Sequence, residues 1–275
     1  MTSITLVQKD TFDKNGWLIL NDALGLEVKS SLSRWIDEIS KPATKGESKL
    51  HYYEKLSEQH HLCRTERFIE DHVGLRKLIV DGEIPKIASS LMGSEVCLYK
   101  EKINYKVPGG AGFHPHQDAS AYNDDLFYIT CLIAVDPMNE ENGCLQFAST
   151  TPDDLLSTQT SGCIDNAIAK TIEWRPAIMD AGSVIFFSSL IPHKSDTNHS
   201  NSSRRAIYLT FNSKGQGSFR NTYYSDRQSH LESSNKNADY KISTIAHFKG
   251  SVVRTSLLIL RFMTPMLFRR KKKNL

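Results

Sequence analysis

The stretch VCLYKEKINYKVPGGAGFHPHQD, residues 96–118, decides the fold. Its first part, 96–107, is a β-like run. Gly109, Gly110 and Gly112 then read as a turn and not as a phosphate cradle, because no Gly-Lys-Ser/Thr follows and the chain enters a strand instead of a helix. A second run, 113–118, comes next. Working outward, further β-like runs stand at 126–135, 143–148, 183–188 and 204–212, separated by Gly, Pro, Asn and Asp. Upstream the pattern is helical. Leu32, Trp35, Ile36 and Ile39 share one face within 26–39, two more helical patterns fill 68–92 before Gly93, and Phe12 to Leu20 reads as a short helix followed by a strand. Residues 40–61 are polar, contain Pro42 and read as a loop or lid. Helices gathered ahead of many short strands predict a mainly β fold with N-terminal helices. The expected core is an antiparallel barrel or jelly roll over 96–212, supported by helices over 1–95. Such a barrel has a mouth for a ligand.

The 275 residues can bury one sizeable core, and 39% hydrophobic with 24% charged residues is the balance of a globular protein. Net charge is +3, but removing the five positive charges of residues 269–273 leaves −2, so no distributed basic surface points to nucleic acid. Cys63, Cys97, Cys131, Cys144 and Cys163 are odd in number and lack a CxxC pair, which fits reduced cysteines of a cytoplasmic protein. Residues 1–20 do not have the pattern of a signal peptide. One domain over 1–245 is expected, followed by an apolar segment with a basic tail over 246–275. That segment is too short and too interrupted for a membrane span; it reads as a terminal helix packing on the core, or else as an interfacial helix touching anionic lipid.

His116 and Asp118 stand two apart, so on a strand both point to one face and offer a nitrogen and an oxygen ligand to the same ion. His193 lies 75 residues beyond Asp118, after the apolar run ending in Phe187 and after Pro192. Two imidazoles and one carboxylate with open positions form the ligand set of non-haem Fe(II) oxygenases. A His-x-Asp pair alone is common by chance; Arg204, 11 residues after His193, adds a fork suited to the carboxylate of a co-substrate. The same three ligands holding zinc or manganese would instead make a hydrolase or isomerase. Gly-x-Ser-x-Gly is absent, so serine nucleophile chemistry gains no support.

These pieces resemble the phytanoyl-CoA dioxygenase family: Ile103-Asn104, His114-Pro115 with His116-Gln117-Asp118, Asn142-Gly143-Cys144-Leu145, Gly182-x-Val184-x-Phe186-Phe187, His193, and Arg204-x-Ala206-Ile207, in family order through 96–212. The resemblance implies a double-stranded β-helix core (a cupin-like jelly roll), Fe(II) held by His116, Asp118 and His193, 2-oxoglutarate held by Arg204 through its far carboxylate, and O2 as oxidant. Lys102 and Asn104 share a strand face and are further candidates for holding 2-oxoglutarate; His114 and Gln117 are expected just behind the ligands. Retention of Asp118 favours hydroxylation or desaturation over halogenation, for which related halogenases replace the carboxylate. The chain departs from many relatives at Ala148-Ser149-Thr150-Thr151-Pro152, beside the pocket mouth, which leaves the substrate open. Leu62 to Glu66, Leu98 to Lys106 and Tyr223 to Arg227 are similar to the branch that hydroxylates small aminoalkylphosphonates. Arg64, Lys100, Tyr223 and Arg227 are therefore expected to touch a small polar substrate, the bland reading of the cations Arg64, Lys100, Lys102 and Arg227 being solvated surface charge. A lipid or secondary metabolite is the alternative substrate, and a non-catalytic binding or membrane-surface protein is the alternative role.

Overall fold

Thr5 and Gln8 cap the first helix reciprocally: the Thr5 hydroxyl accepts the Gln8 amide at 3.2 Å, and the Gln8 side chain accepts the Thr5 amide at 2.8 Å. Gly16, at φ 74°, ends that helix in the left-handed conformation. The structure, a computed structural model, describes residues 4–122, 126–233 and 252–254. In chain order the elements are α1 (Leu6–Asn15), β1 (Trp17–Leu20), α2 (Leu26–Ser40), β2 (Leu50–Leu56), β3 (Gln59–Glu66), α3 (Val73–Arg76) and α4 (Glu83–Met92). Next come β4 (Val96–Lys106), β5 (Phe113–His116), β6 (Tyr128–Ala134), β7 (Leu145–Ala148), α5 (Asn166–Ala169), β8 (Trp174–Pro176) and β9 (Val184–Ser188). The described chain closes with β10 (His193–Ser195), β11 (Arg204–Ser213), α6 (Arg220–Ser233) and β12 (Val252–Arg254).

Two sheets form the jelly roll. The larger has the order β1-β9-β6-β11-β4-β3-β2-β12 and the smaller the order β5-β10-β7-β8. Every pairing is antiparallel, so side chains alternate between the two faces of each sheet. On the large sheet this alternation divides the core. Ile207, Leu209, Cys131, Ile133, Val184 and Phe186 face the helices and join Leu32, Ile36, Ile84 and Leu91 in one buried cluster. Ala206, Tyr208, Leu132, Ala134, Ile185 and Phe187 face the small sheet and pack with Leu145 and Phe147. The helical layer thus covers the outer face, and the inner face is left to enclose a site.

The expected strands and N-terminal helices are present. Residues 40–61 differ from expectation: instead of an unstructured lid, residues 50–66 make the hairpin β2–β3, which extends the large sheet. Their alternation was hidden because a bulge between Tyr52 and Tyr53 shifts the pairing from Arg64 to Leu62. Of the C-terminal segment, residues 252–254 form a strand on β2 where a helix was expected; the rest of the proposed tail lies outside the described residues. Among the described residues no helix is long and apolar enough to cross a membrane.

Candidate active site

His116 ends β5 and His193 begins β10, and the two are register partners across the small sheet, with ring centroids 4.2 Å apart. Gln117 is extended at φ −113°, ψ 131°, so Asp118 returns to the face of His116, although it opens a short 3-10 turn instead of continuing the strand. One ligand atom from each of the three lies within 4.8 Å of the others. Both imidazole Nε2 atoms stand 3.8 Å from Asp118 Oδ1, too far for hydrogen bonds and close enough for one ion to bridge.

The imidazoles are fixed from behind. His116 Nδ1 donates to the His114 carbonyl at 2.7 Å, and His193 Nδ1 donates to the Ile191 carbonyl at 3.0 Å. Each backbone acceptor selects the tautomer that carries its proton on Nδ1, leaving the Nε2 lone pairs for the ion. Burial, reinforced by His193, pushes His116 down to about 3, so the ring is neutral as a ligand must be. Burial opposes ionisation of Asp118, but His193, His116, Lys102 and Lys100 outweigh it and hold the carboxyl below its ordinary range. The Thr130 hydroxyl approaches Asp118 Oδ2 at 3.4 Å from the inner face of β6. This preoriented set of two nitrogens and one carboxylate oxygen fits divalent iron with positions left open.

Gln117 is fully buried, but it works as a brace: its amide donates to the Leu190 carbonyl at 2.6 Å and accepts from the Leu156 amide at 2.8 Å, tying two loops beside the ligands. The His114 side chain is exposed, and only its carbonyl reaches the site.

A cavity of about 230 Å³ opens beside the three ligands. Arg64, Lys100, Lys102, Asn104, Tyr223 and Arg227 all line it, which replaces the reading of these cations as solvated surface charge. A bulge explains the arrangement. Thr210 pairs with Lys100 and Phe211 with Leu98, so Tyr99 is the extra residue and the parity of β4 flips there. Val96 and Leu98 face the helices, whereas Lys100, Lys102 and Asn104 face the site. Tyr99, Tyr122, Tyr208 and Phe187 complete the walls and were not foreseen; aromatic residues flanking the His-x-Asp and β11 segments are the only signal that could have raised them.

Arg204 lies one compartment away. It is 2% exposed and lines a recess of about 20 Å³ that shares Arg64, Asn104, Phe113 and Tyr208 with the main cavity. One terminal nitrogen donates to the Gly143 carbonyl at 2.9 Å; the other, Nη1, is buried without a hydrogen-bond partner. A buried guanidinium nitrogen left unsatisfied is costly unless a ligand completes it. Lys106, opposite Arg204 in the ladder, donates to the Gly143 carbonyl, Ser195 Oγ and the Asp196 carbonyl at 2.6 to 3.0 Å. Gly143 adopts φ 69°, and a Cβ there would collide with the Asp196 carbonyl, so only glycine presents this carbonyl to both cations.

A jelly roll that turns two imidazoles and a carboxylate toward one point, beside a buried arginine recess, has the construction of a non-haem metal oxygenase. The profile of the phytanoyl-CoA dioxygenase family matches residues 12–206, and the chain belongs to this family. It is 41% identical over 255 residues to a methylphosphonate hydroxylase of Gimesia maris, covering 90% of this chain and 97% of that one. It is 35% identical over 237 residues to a 2-aminoethylphosphonate dioxygenase of an uncultured bacterium, covering 83% and 89%. Among solved structures, EctD from S. alaskensis with 2-oxoglutarate and 5-hydroxyectoine shares the fold, with TM-score 0.66 and 18% identity over 77% of each chain.

Proposed function

We propose that the chain is an Fe(II)- and 2-oxoglutarate-dependent dioxygenase that hydroxylates a small organophosphonate at the carbon bonded to phosphorus, releasing succinate and CO2. The observation that carries the substrate is the convergence of Arg64, Lys100, Lys102 and Arg227 on the cavity beside His116, Asp118 and His193. A phosphonate dianion needs several donors at once, and these four cations outnumber Glu66, the carboxylate that pairs with Arg64 and Arg227. The two curated relatives, named for a methylphosphonate and a 2-aminoethylphosphonate, support the same substrate class.

When bound, iron with 2-oxoglutarate and O2 supplies the oxidising power for C–H hydroxylation. The chain supplies placement. His116, Asp118 and His193 would hold the metal, with Thr130 steadying the carboxylate. Arg204 Nη1 offers the missing partner for the far carboxylate of 2-oxoglutarate, and Asn104, bonded to Arg64 Nε at 3.2 Å, links the recess to the cation cluster. Arg64 and Arg227 are themselves held by Glu66, at 3.4 and 2.8 Å, so their guanidinium groups are fixed before substrate arrives. The five cysteines, all unpaired, support a reducing compartment, the cytoplasm.

The test is iron-dependent succinate formation from 2-oxoglutarate against phosphonates, small amines and lipid thioesters, with phosphorus NMR of the product. Stimulation by a phosphonate and a shifted phosphorus resonance are expected; stimulation by the other classes alone would refute the assignment.

A further inference from the structure

The ammonium of Lys100 lies over three tyrosine rings, 4.8 Å from the centroid of Tyr122, 5.5 Å from Tyr223 and 5.8 Å from Tyr99. All three rings line the cavity beside the metal ligands. An aromatic box of this kind is the usual receptor for a cationic ligand. Here the box is filled from within, by a side chain of the same wall. It comes from three directions: Tyr99 is the bulged residue of β4, Tyr122 follows the turn after Asp118, and Tyr223 belongs to α6.

The remaining charges of the cavity point the same way. Among the described residues that line it, the only carboxylate is Asp118, which belongs to the metal centre. Glu66 lies just behind, 2% exposed, and is engaged by Arg64, Arg227 and the Tyr52 hydroxyl. A substrate ammonium would enter a space with four cations, no spare carboxylate and a tyrosine box already occupied.

We infer that Lys100 sets the substrate class: seated in the tyrosine box, it takes the place where a substrate amine would be held, so the site selects small alkylphosphonates without an amino group. This rests on the phosphonate reading and narrows it. Lys100 thus serves twice, adding a positive charge for the phosphonate and excluding a positive charge on the alkyl end.

The decisive comparison is between n-propylphosphonate and 2-aminoethylphosphonate, which match in size and differ by a methyl against an ammonium. Iron-loaded full-length enzyme is assayed for succinate formation with these two and with methylphosphonate. Expected is a kcat/KM at least tenfold higher for n-propylphosphonate than for its amino counterpart. In Lys100→Met, which keeps the length and removes the charge, the tyrosine box no longer holds a cation that repels the substrate ammonium, and that ratio falls at least tenfold. Equal or better use of 2-aminoethylphosphonate by the wild type would overturn the inference alone, whether or not the variant folds, and so would an unchanged ratio in a folded Lys100→Met. No succinate with any of the three would overturn the phosphonate reading as well.

Discussion

Arg220→Ala removes the pin that fastens α6 to the barrel. The Arg220 guanidinium donates to both Glu101 carboxylate oxygens, at 2.9 and 2.5 Å, and also pairs with Glu70. Glu101 is 0% exposed and further accepts the Phe68 amide at 3.1 Å and the Tyr224 hydroxyl at 3.2 Å. Without Arg220 a carboxylate stays buried with only neutral partners, a change that costs roughly 3–5 kcal/mol. For a chain of this size that lowers the melting temperature by roughly 10 °C. Tyr223 and Arg227 stand three and seven residues further along α6 and line the cavity, so the phosphonate KM should rise more than the 2-oxoglutarate KM. The double variant Arg220→Ala with Glu101→Gln separates charge from packing, because the glutamine amide retains hydrogen-bonding capacity toward Phe68 and Tyr224 and leaves no buried charge. It should recover about half of the loss or more. Thermal melts and denaturant titrations of the two singles and the double measure this. A cost below about 1 kcal/mol for Arg220→Ala, or a double variant less stable than Arg220→Ala, would refute the buried-charge argument.

His116→Ala and Asp118→Ala should each abolish succinate formation and iron retention while leaving the melting temperature near that of the iron-free wild type; an active variant would refute the ligand assignment. Arg204→Ala should raise the 2-oxoglutarate KM about ten- to a hundredfold, the worth of a charge-assisted pair, and an unchanged KM would remove 2-oxoglutarate from the recess. Lys102 is pushed down to about 7 by burial, with Arg64 and Lys100 adding to it. Between about 7 and its unfolded value the unfolded chain binds the extra proton, so the stability of the free enzyme rises with pH across that window. Phosphonate affinity moves oppositely, since the dianion needs the protonated lysine. Relative to Lys102→Arg, which keeps its charge, wild-type kcat/KM should fall from pH 7 to 9; a constant ratio would exclude Lys102 from phosphonate binding.

The cluster of His116, Asp118 and His193 was legible because strand geometry and one turn suffice to place it: His116 and Asp118 share a face across an extended Gln117, and His193 is carried to His116 by strand pairing. Arg204 was singled out in the sequence as a co-substrate candidate, but its separation from the main cavity was not legible, because that depends on how Gly143 brings a loop carbonyl against the arginine. The inward direction of Lys102 and Asn104 could not be read either. Period-two reasoning runs correctly along an unbroken strand, and β4 is broken by Tyr99, so counting from the apolar residues Val96 and Leu98 gives the wrong face for everything beyond. The same effect concealed the β2–β3 hairpin, where a bulge interrupts the pattern in a polar stretch.

The bulge also accounts for the division of labour on β4. Past Tyr99, the even positions Lys100, Lys102 and Asn104 look into the cavity, while the odd positions Glu101, Ile103 and Tyr105 look toward the helical layer. Glu101 therefore lies back to back with two cavity lysines, and through Arg220 and Tyr224 it holds the helix whose Tyr223 closes the box around Lys100. Cavity-facing charge and the fastening of α6 are thus carried by adjacent residues of one strand. Were Tyr99 paired in regular alternation instead of bulged, Lys100 and Lys102 would turn toward the apolar helical layer, where burying two unpaired ammonium groups costs several kcal/mol each. The placement of the cation cluster is for this reason a property of the strand register as much as of the lysines themselves.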